Sequence, residues 1–123
     1  MIVKRVSEIE PERRPDGRDI SYISKYRLMD LDLNILMLIS EIPEGCIEQK
    51  HYHSNSIEIF YCLTSAKVIV EGEEIQLETG DTLLLEPGDV HQIEADHRMK
   101  LLVIKIPNIS DKVVVQKWGK TLP

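Results

Sequence analysis

The sequence has few cysteines and few aromatic residues. Its 123 residues include two cysteines, Cys46 and Cys62, one tryptophan and one phenylalanine. The two cysteines do not have C-x-x-C spacing, so we predict reduced packing residues and not a disulfide or a redox pair. A small secreted domain held together by disulfides is therefore not the class that this composition favours.

Long apolar runs and an excess of positive charge are also missing. The longest apolar run, Ile35 to Ile39, is far too short to cross a bilayer. The first residues, Met1 to Val6, lack the apolar core of a secretory signal. The formal net charge is −6 and the basic residues are scattered, which argues against a nucleic-acid partner. We therefore expect a cytoplasmic protein that binds neither membranes nor nucleic acid.

The sequence is rich in short segments with the period of a β-strand. In Leu31 to Ile39 every odd position is apolar, which predicts a strand with its odd face buried. Two polar-apolar segments flank Gly72-Glu73, a predicted tight hairpin turn. Further turns and strands are predicted at Glu78–Asp81, Glu86–Asp89, Met99–Pro107 and Asp111–Trp118. Regular short strands with Gly and Pro turns indicate an all-β sandwich or barrel.

The first thirty residues have a different character. Glu8 to Arg18 carries two prolines, four acidic residues and three arginines, which predicts a surface loop or a short turn. Ile20 to Leu28 is a predicted strand. We assign residues 1–30 to an arm and strand that pack on the barrel or on a dimer partner. Residues 31–118 form the predicted barrel domain.

Three histidines and one glutamate indicate a metal site. His51 and His53 are two apart, so on a strand they face the same side. Glu58 opens the next strand, and an inward carboxylate needs a cation to offset its burial. His91 follows a Pro-Gly turn and adds a third imidazole. This donor set predicts one divalent transition metal ion (Fe, Mn, Ni, Co, Cu or Zn). His97 is interpreted as an ordinary surface or core residue.

Strand parity also predicts which residues line the cavity. Gln49, Phe60, Cys62 and Ile93 are expected to face inward, together with the odd face of Leu31 to Ile39. These side chains would make the cavity largely apolar. No basic residue occupies a predicted inward position, although the orientations of Lys67, Arg98 and Lys105 stay open.

These residues resemble the two motifs of the cupin family. The first motif, G-x5-H-x-H-x4-E, matches from Gly45 through His51, His53 and Glu58, and the second matches at Gly80, Gly88 and His91. The resemblance covers about residues 31 to 107. It implies a double-stranded β-helix, or jelly-roll barrel, often a homodimer, with the three histidines and Glu58 holding the metal. Three positions depart from the family pattern without removing a ligand: Ser65, Glu86 (with Pro87 one place later) and Ala95.

Three functions are compatible with such a site. A dioxygenase-like enzyme would use a metal centre in an apolar cavity, and a phosphosugar isomerase-like enzyme would also need an interior basic group. In either enzyme Glu58 is a candidate catalytic base as well as a ligand. The third possibility is a non-enzymatic module that binds or senses a small ligand, since fold alone does not decide function.

Overall fold

The computed structural model describes residues 5–27 and 34–115. A short 3-10 turn, Val6–Glu8, precedes eleven β-strands, and no α-helix occurs in the described part of the chain. The strands are β1 (Glu12–Arg13), β2 (Asp19–Arg27), β3 (Asn34–Ile42), β4 (His51–His53), β5 (Ile57–Cys62), β6 (Ala66–Val70), β7 (Glu73–Leu77), β8 (Thr82–Leu85), β9 (His91–Ile93), β10 (Met99–Ile106) and β11 (Lys112–Val114). No described helix is long and apolar enough to span a membrane.

The strands form two antiparallel sheets. One has six strands in the order β1-β2-β3-β10-β5-β8, and the other has five in the order β11-β4-β9-β6-β7. Neighbours in each sheet are often distant in the chain, as in a jelly roll. The all-β jelly-roll prediction is therefore confirmed.

The core lies between the inner faces of the two sheets. β10 shows most clearly how strand alternation builds this core, because its residues alternate between buried and partly buried along the whole strand. Met99 and Leu101 are completely buried, as are Ile42 of β3 and Val68 of β6. Removing a buried side chain of this size typically costs about 2–5 kcal/mol of unfolding free energy.

The inward face of β3 differs from the prediction. Leu101 faces the core, and its register partner on β3 is Ser40, which is 3% exposed. Because facing partners share a side of the sheet, the even positions of β3 point inward and the predicted odd face, Ile35 to Ile39, points outward. Residues 35–39 are apolar at every position, so their alternation could not decide the parity. Residues 31–33 of the predicted segment lie outside the described residues.

The hairpin between β6 and β7 stabilises the segment that precedes β9. Its two-residue turn is Glu71-Gly72, one residue earlier than predicted, and both residues have positive φ, 49° and 78°. Positive φ at both positions is the type I′ geometry that matches the twist of a hairpin. Glu71 then accepts a hydrogen bond at Oε1 from the backbone N–H of Val90, at 2.8 Å. This contact stabilises the chain immediately before His91.

The two ends of the described chain flank the barrel strands. β2 corresponds to the predicted strand Ile20–Leu28, of which Leu28 lies outside the described residues, and it pairs with β1 and β3. β11 is the described part of the predicted last strand, whose residues 116–118 also lie outside. The predicted boundary between residues 30 and 31 falls in the undescribed segment and stays a prediction.

Candidate metal centre

The three histidines come together on the five-stranded sheet. His51 and His53 are the two inward residues of β4, and they are 3% and 8% exposed. His91 begins β9 and is the direct register partner of His51. The ring centroids of His51 and His91 are 4.3 Å apart, and that of His53 lies 5.2 and 5.8 Å from them. Strand parity and register thus place three imidazoles at one point.

Glu58 reaches the same point from the six-stranded sheet. It is the second residue of β5, and its side chain is largely buried. One carboxylate oxygen, Oε1, lies 3.2 Å from Nε2 of His91, and the other, Oε2, lies 3.5 Å from Nε2 of His53. The carboxylate therefore bridges two of the three imidazoles across the barrel.

The Nδ1 atoms of the histidines all face oxygen atoms of the protein. Nδ1 of His51 lies 2.6 Å from the backbone carbonyl of Gln49, and Nδ1 of His91 lies 3.0 Å from that of Asp89. Nδ1 of His53 lies 3.3 Å from a carboxylate oxygen of Asp111. The hydrogen-bond acceptors at Nδ1 of His51 and His91 favour a proton there, which leaves the lone pair on Nε2 in the neutral ring. Nδ1 of His53 has no hydrogen bond of good geometry to the described residues. Oxygen atoms next to Nδ1 commonly orient histidines that bind a metal ion.

Unsatisfied nitrogen atoms show that a cation fits this arrangement. Nε2 of His53 and Nε2 of His91 are buried, and neither has a hydrogen bond of good geometry to any described residue. Buried polar atoms in proteins are normally paired, so orphaned nitrogens call for an explanation. The candidate ligand atoms of the three histidines lie within 4.8 Å of one another. The group could therefore hold a metal ion, whose identity the donor set does not decide.

The charge states of two of these groups also suit metal ligation. Burial lowers the pKa of His51 to about 3, so its ring is neutral near pH 7. Burial by itself would raise the pKa of Glu58, but the contacts with His53 and His91 outweigh it and lower this pKa to about 2. A neutral imidazole and an ionised carboxylate are the forms that bind metals.

Asp111 supports His53 from outside the four predicted ligands. Its Oδ2 accepts hydrogen bonds from the backbone N–H groups of Asn55 and Ser56, at 2.9 and 2.8 Å, and Oδ1 lies 3.0 Å from Nζ of Lys105. Burial opposes the charge, yet these donors hold the pKa of Asp111 well below its usual range. Sequence reasoning missed this residue, because its contacts join segments more than fifty residues apart.

A cavity of about 560 Å³ opens beside the centre. Among the residues predicted to line it, Gln49, Phe60 and Ile93 do so, as do the proposed ligands His51, His53 and Glu58. Cys62 does not line the cavity but lies in the core with no exposed surface. Cys62 and Phe60 share the inward face of β5, and Cys62 lies two residues farther from Glu58 than Phe60 does. At that position the side chain packs into the core between the two sheets. His91 does not line the cavity either and instead contacts Glu58.

The cavity is more polar than predicted. Leu38 and Ser40 of β3 line it in place of the odd-numbered residues, and five charged side chains lie among its other lining residues. We call these five the charged wall: Arg14, Asp16, Arg18, Glu48 and Lys112. The prediction of a largely apolar cavity without basic groups was wrong, because residues 14–18 were interpreted as a surface loop or short turn and the strand that carries Lys112 was given no inward face. The three basic residues left open, Lys67, Arg98 and Lys105, do not line the cavity and form ion pairs with acidic side chains.

A tight turn brings the N-terminal part of the charged wall into place. Gly17 has a φ of 99°, a conformation that favours glycine, and its N–H donates to the carbonyl of Arg14 at 3.0 Å. Arg18 then pairs with Asp16 at 2.8 Å and with Glu48 at 2.7 Å. Burial raises the pKa of Glu48, although the guanidinium of Arg18 opposes the shift. Arg18 thereby connects the turn to the segment that leads into β4.

The comparison with family models identifies the fold family. Residues 38–105, more than half of the chain, match the model described as the cupin domain. The chain belongs to the cupin family. The matched segment contains all four predicted metal ligands, whereas four members of the charged wall and Asp111 lie outside it.

Two curated cupin relatives show how varied similar proteins are. The chain is 34% identical over 80 residues to quercetin 2,3-dioxygenase of Bacillus subtilis; the match covers 63% of this chain and 24% of the dioxygenase. The chain thus spans about a quarter of that enzyme. It is 24% identical over 122 residues to L-ectoine synthase of Saccharophagus degradans, with 97% of this chain and 92% of that protein covered.

A solved structure supports the fold. A predicted oxalate decarboxylase of Thermotoga maritima superposes with a TM-score of 0.76 at 23% identity, and covers 86% of this chain and 99% of that one. At this level of identity the likeness shows the cupin fold and leaves the activity to the site itself.

Proposed function

We propose that this cupin binds one divalent transition metal ion through His51, His53, His91 and Glu58 and acts on a small molecule in the adjacent cavity. The observation that carries the proposal is the set of three buried imidazoles, each with an oxygen atom at Nδ1 and all grouped within ligand distance. Orphaned Nε2 atoms in a protein interior are costly unless a ligand completes them.

The cavity suits a small-molecule site in size and access. Its volume of about 560 Å³ lies within the range of about 300–1,000 Å³ that ligand sites occupy. A bound divalent ion would supply Lewis-acid polarisation of an oxygen atom of the ligand. Phe60 and Ile93 line the cavity and would exclude water from the ligand, while Glu58 is both a ligand and the candidate base.

Two reaction classes remain, and each has an observation in its favour. A dioxygenase-like reaction is supported by the similarity to the Bacillus dioxygenase over 80 residues. An isomerase-like reaction on a phosphosugar requires a cationic group in the cavity, which the charged wall supplies through Lys112 and Arg14. Oxygen uptake and isomerase turnover, assayed on the same metal-loaded protein, separate these two classes. Binding of a ligand without turnover would favour the non-enzymatic alternative.

Titration of purified protein without a histidine tag tests the metal proposal. The metal-free protein should take up one equivalent of Mn(II), Co(II) or Zn(II), and His91→Gln should lose most of that uptake. His97→Gln is the matched control, because His97 is a histidine that pairs with Asp96 and does not belong to the cluster of three. Absence of uptake by the wild type, or equal uptake by His91→Gln, would refute the proposal.

We also propose that the protein is a homodimer, on the basis of the outer face of the six-stranded sheet. Met37, Ile104 and Ile59 form one row of register partners across β3, β10 and β5, and Leu84 of β8, 52% exposed, continues it. A continuous apolar row on a sheet surface is typical of a protein interface. Light scattering after size exclusion should give the dimer mass, and Ile104→Lys should shift it to the monomer. A wild-type monomer at micromolar concentration would contradict the proposal.

A further inference from the structure

The balance of charge around the cavity would change when a metal ion is bound. Arg14, Arg18 and Lys112 face the carboxylates of Asp16, Glu48 and Glu58, so the charged groups that line the cavity balance one another. A divalent ion adds two positive charges to this balanced set. Because the interior screens charge poorly, the metal-loaded cavity would attract a negatively charged ligand.

Lys112 is the least constrained of the cationic residues that line the cavity. It lies on β11 opposite His53, and its side chain forms no ion pair or hydrogen bond with the described part of the chain. Because register partners share a face of the sheet, the side chain of Lys112 lies on the same inner face as His53, beside the candidate metal centre. An exposed lysine that lines a cavity beside a metal site is suited to bind an anionic group.

The two arginines of the charged wall differ in how they are held. Arg18 is occupied by Asp16 and Glu48, with side-chain exposures of 14% and 7%, so its charge is already neutralised. Arg14 donates a hydrogen bond to the hydroxyl of Tyr22, and its ion pair with Glu12, at 3.4 Å, is largely exposed. Exposed pairs of this kind are weak, so the ion pair with Glu12 does little to keep Arg14 from a ligand.

We propose that the cavity takes a small organic anion whose charged group is bound by Lys112, with Arg14 as a second contact, beside the metal centre. This inference rests on the proposed metal-dependent function and adds the chemical class of the ligand. Carboxylates and phosphate esters share the required charge, and both accept hydrogen bonds from Lys and Arg.

Calorimetric titration of the metal-loaded protein with charged and uncharged probes tests this proposal. Malonate is compared with malonamide, and glycerol 3-phosphate with glycerol, so that each anion has a neutral analogue of similar size. We expect at least one anion to bind about tenfold or more tightly than its analogue. The anion that binds better distinguishes the carboxylate from the phosphate ester.

Lys112→Met identifies the group responsible, with Lys100→Met as its matched control. Both variants remove one lysine charge, but Lys100 pairs with Glu41 and does not line the cavity. Lys112→Met should weaken anion binding about tenfold while Lys100→Met changes it less than twofold. Equal effects of the two variants, or no preference for either anion over its analogue, would overturn the proposal.

Metal uptake is measured on the same samples to separate this inference from the proposed function. Both lysine variants should still bind one ion, since neither lysine is a proposed ligand. If the wild type binds no metal, the proposed function fails, and the inference fails with it, because the excess positive charge of the cavity comes from the ion. Normal metal uptake with anion binding insensitive to Lys112 would refute the inference alone.

Discussion

The metal centre and the charged wall lie against the same cavity but are built differently. All four proposed metal ligands lie between residues 51 and 91: the three histidines on the neighbouring strands β4 and β9, and Glu58 on β5 of the other sheet. In the charged wall only Glu48 comes from the cupin segment, while the other members come from a turn before β2 and from β11. The difference is consistent with our proposals that the cupin segment holds a metal ion and that the flanking segments bind the ligand beside it.

Substitution of Glu58 should produce the largest difference in metal affinity between a variant of the metal centre and a variant of the charged wall. Glu58→Gln removes the one anionic ligand while keeping the shape of the side chain, so metal affinity should fall by roughly a hundredfold or more, beyond the effect of losing an outer partner. Isothermal titration with Mn(II) or Zn(II) measures it. Arg18→Lys, a change in the charged wall, should leave metal affinity within threefold, and a comparable loss in both variants would remove the distinction.

Substitution of Asp111, which lies outside the cupin segment, should have an intermediate effect on metal affinity. Asp111→Asn keeps an acceptor for the N–H groups of Asn55 and Ser56 but weakens the charged contact to Nδ1 of His53. Loss of such an outer partner typically costs about 10–100-fold in metal affinity.

A matched variant and the spectrum of the bound metal show whether Asp111 positions His53 or only stabilises the loop. Asp81→Asn is the control, because Asp81 also accepts a backbone hydrogen bond, from Glu78, but lies away from the histidines. The visible absorption of the Co(II) form should change in Asp111→Asn and not in Asp81→Asn. Unchanged affinity and spectrum in Asp111→Asn would limit Asp111 to a role in the loop.

Substitution of Arg18 should have the smallest effect on the metal and a clear effect on stability. Arg18→Met leaves the carboxylate of Glu48 buried without its cation, which should lower the unfolding free energy by about 1–3 kcal/mol. Urea denaturation measures the change. Adding Glu48→Gln to Arg18→Met should recover part of the loss, because the unpaired charge is removed. Purely additive effects would mean that the two side chains do not interact.

The sequence predicts much of the fold and the grouping of the three histidines because both depend on local patterns. That His51 and His53 face the same side follows from the period of a strand alone. The turn residues around Gly72 and Gly88 mark the ends of strands directly. Alternation fails in residues 35–39, where every position is apolar and only pairing with β10 decides which side faces inward. The hairpin turn was likewise misplaced by one residue, because Glu71 has a positive φ, a conformation that glutamate rarely adopts and that its residue type does not predict.

The charged wall and Asp111 depend on long-range contacts that no local pattern encodes. Arg18 meets Glu48 across thirty residues, and Asp111 meets Ser56 across fifty-five. Each residue taken alone looks like an ordinary surface charge, and its place beside the cavity or the histidines becomes visible only when the strands are assembled. The roles of the flanking segments can therefore be inferred only from a structure, whereas the candidate metal ligands can be proposed from local spacing.

Anomalous diffraction from crystals soaked in Mn(II) or Zn(II) tests the central claim most directly. The metal proposal predicts one strong peak inside the barrel, at about 2.0–2.2 Å from Nε2 of His51, His53 and His91 and from a carboxylate oxygen of Glu58. A peak ligated by other residues, or no peak in a crystal grown from protein that keeps the same fold, would contradict it.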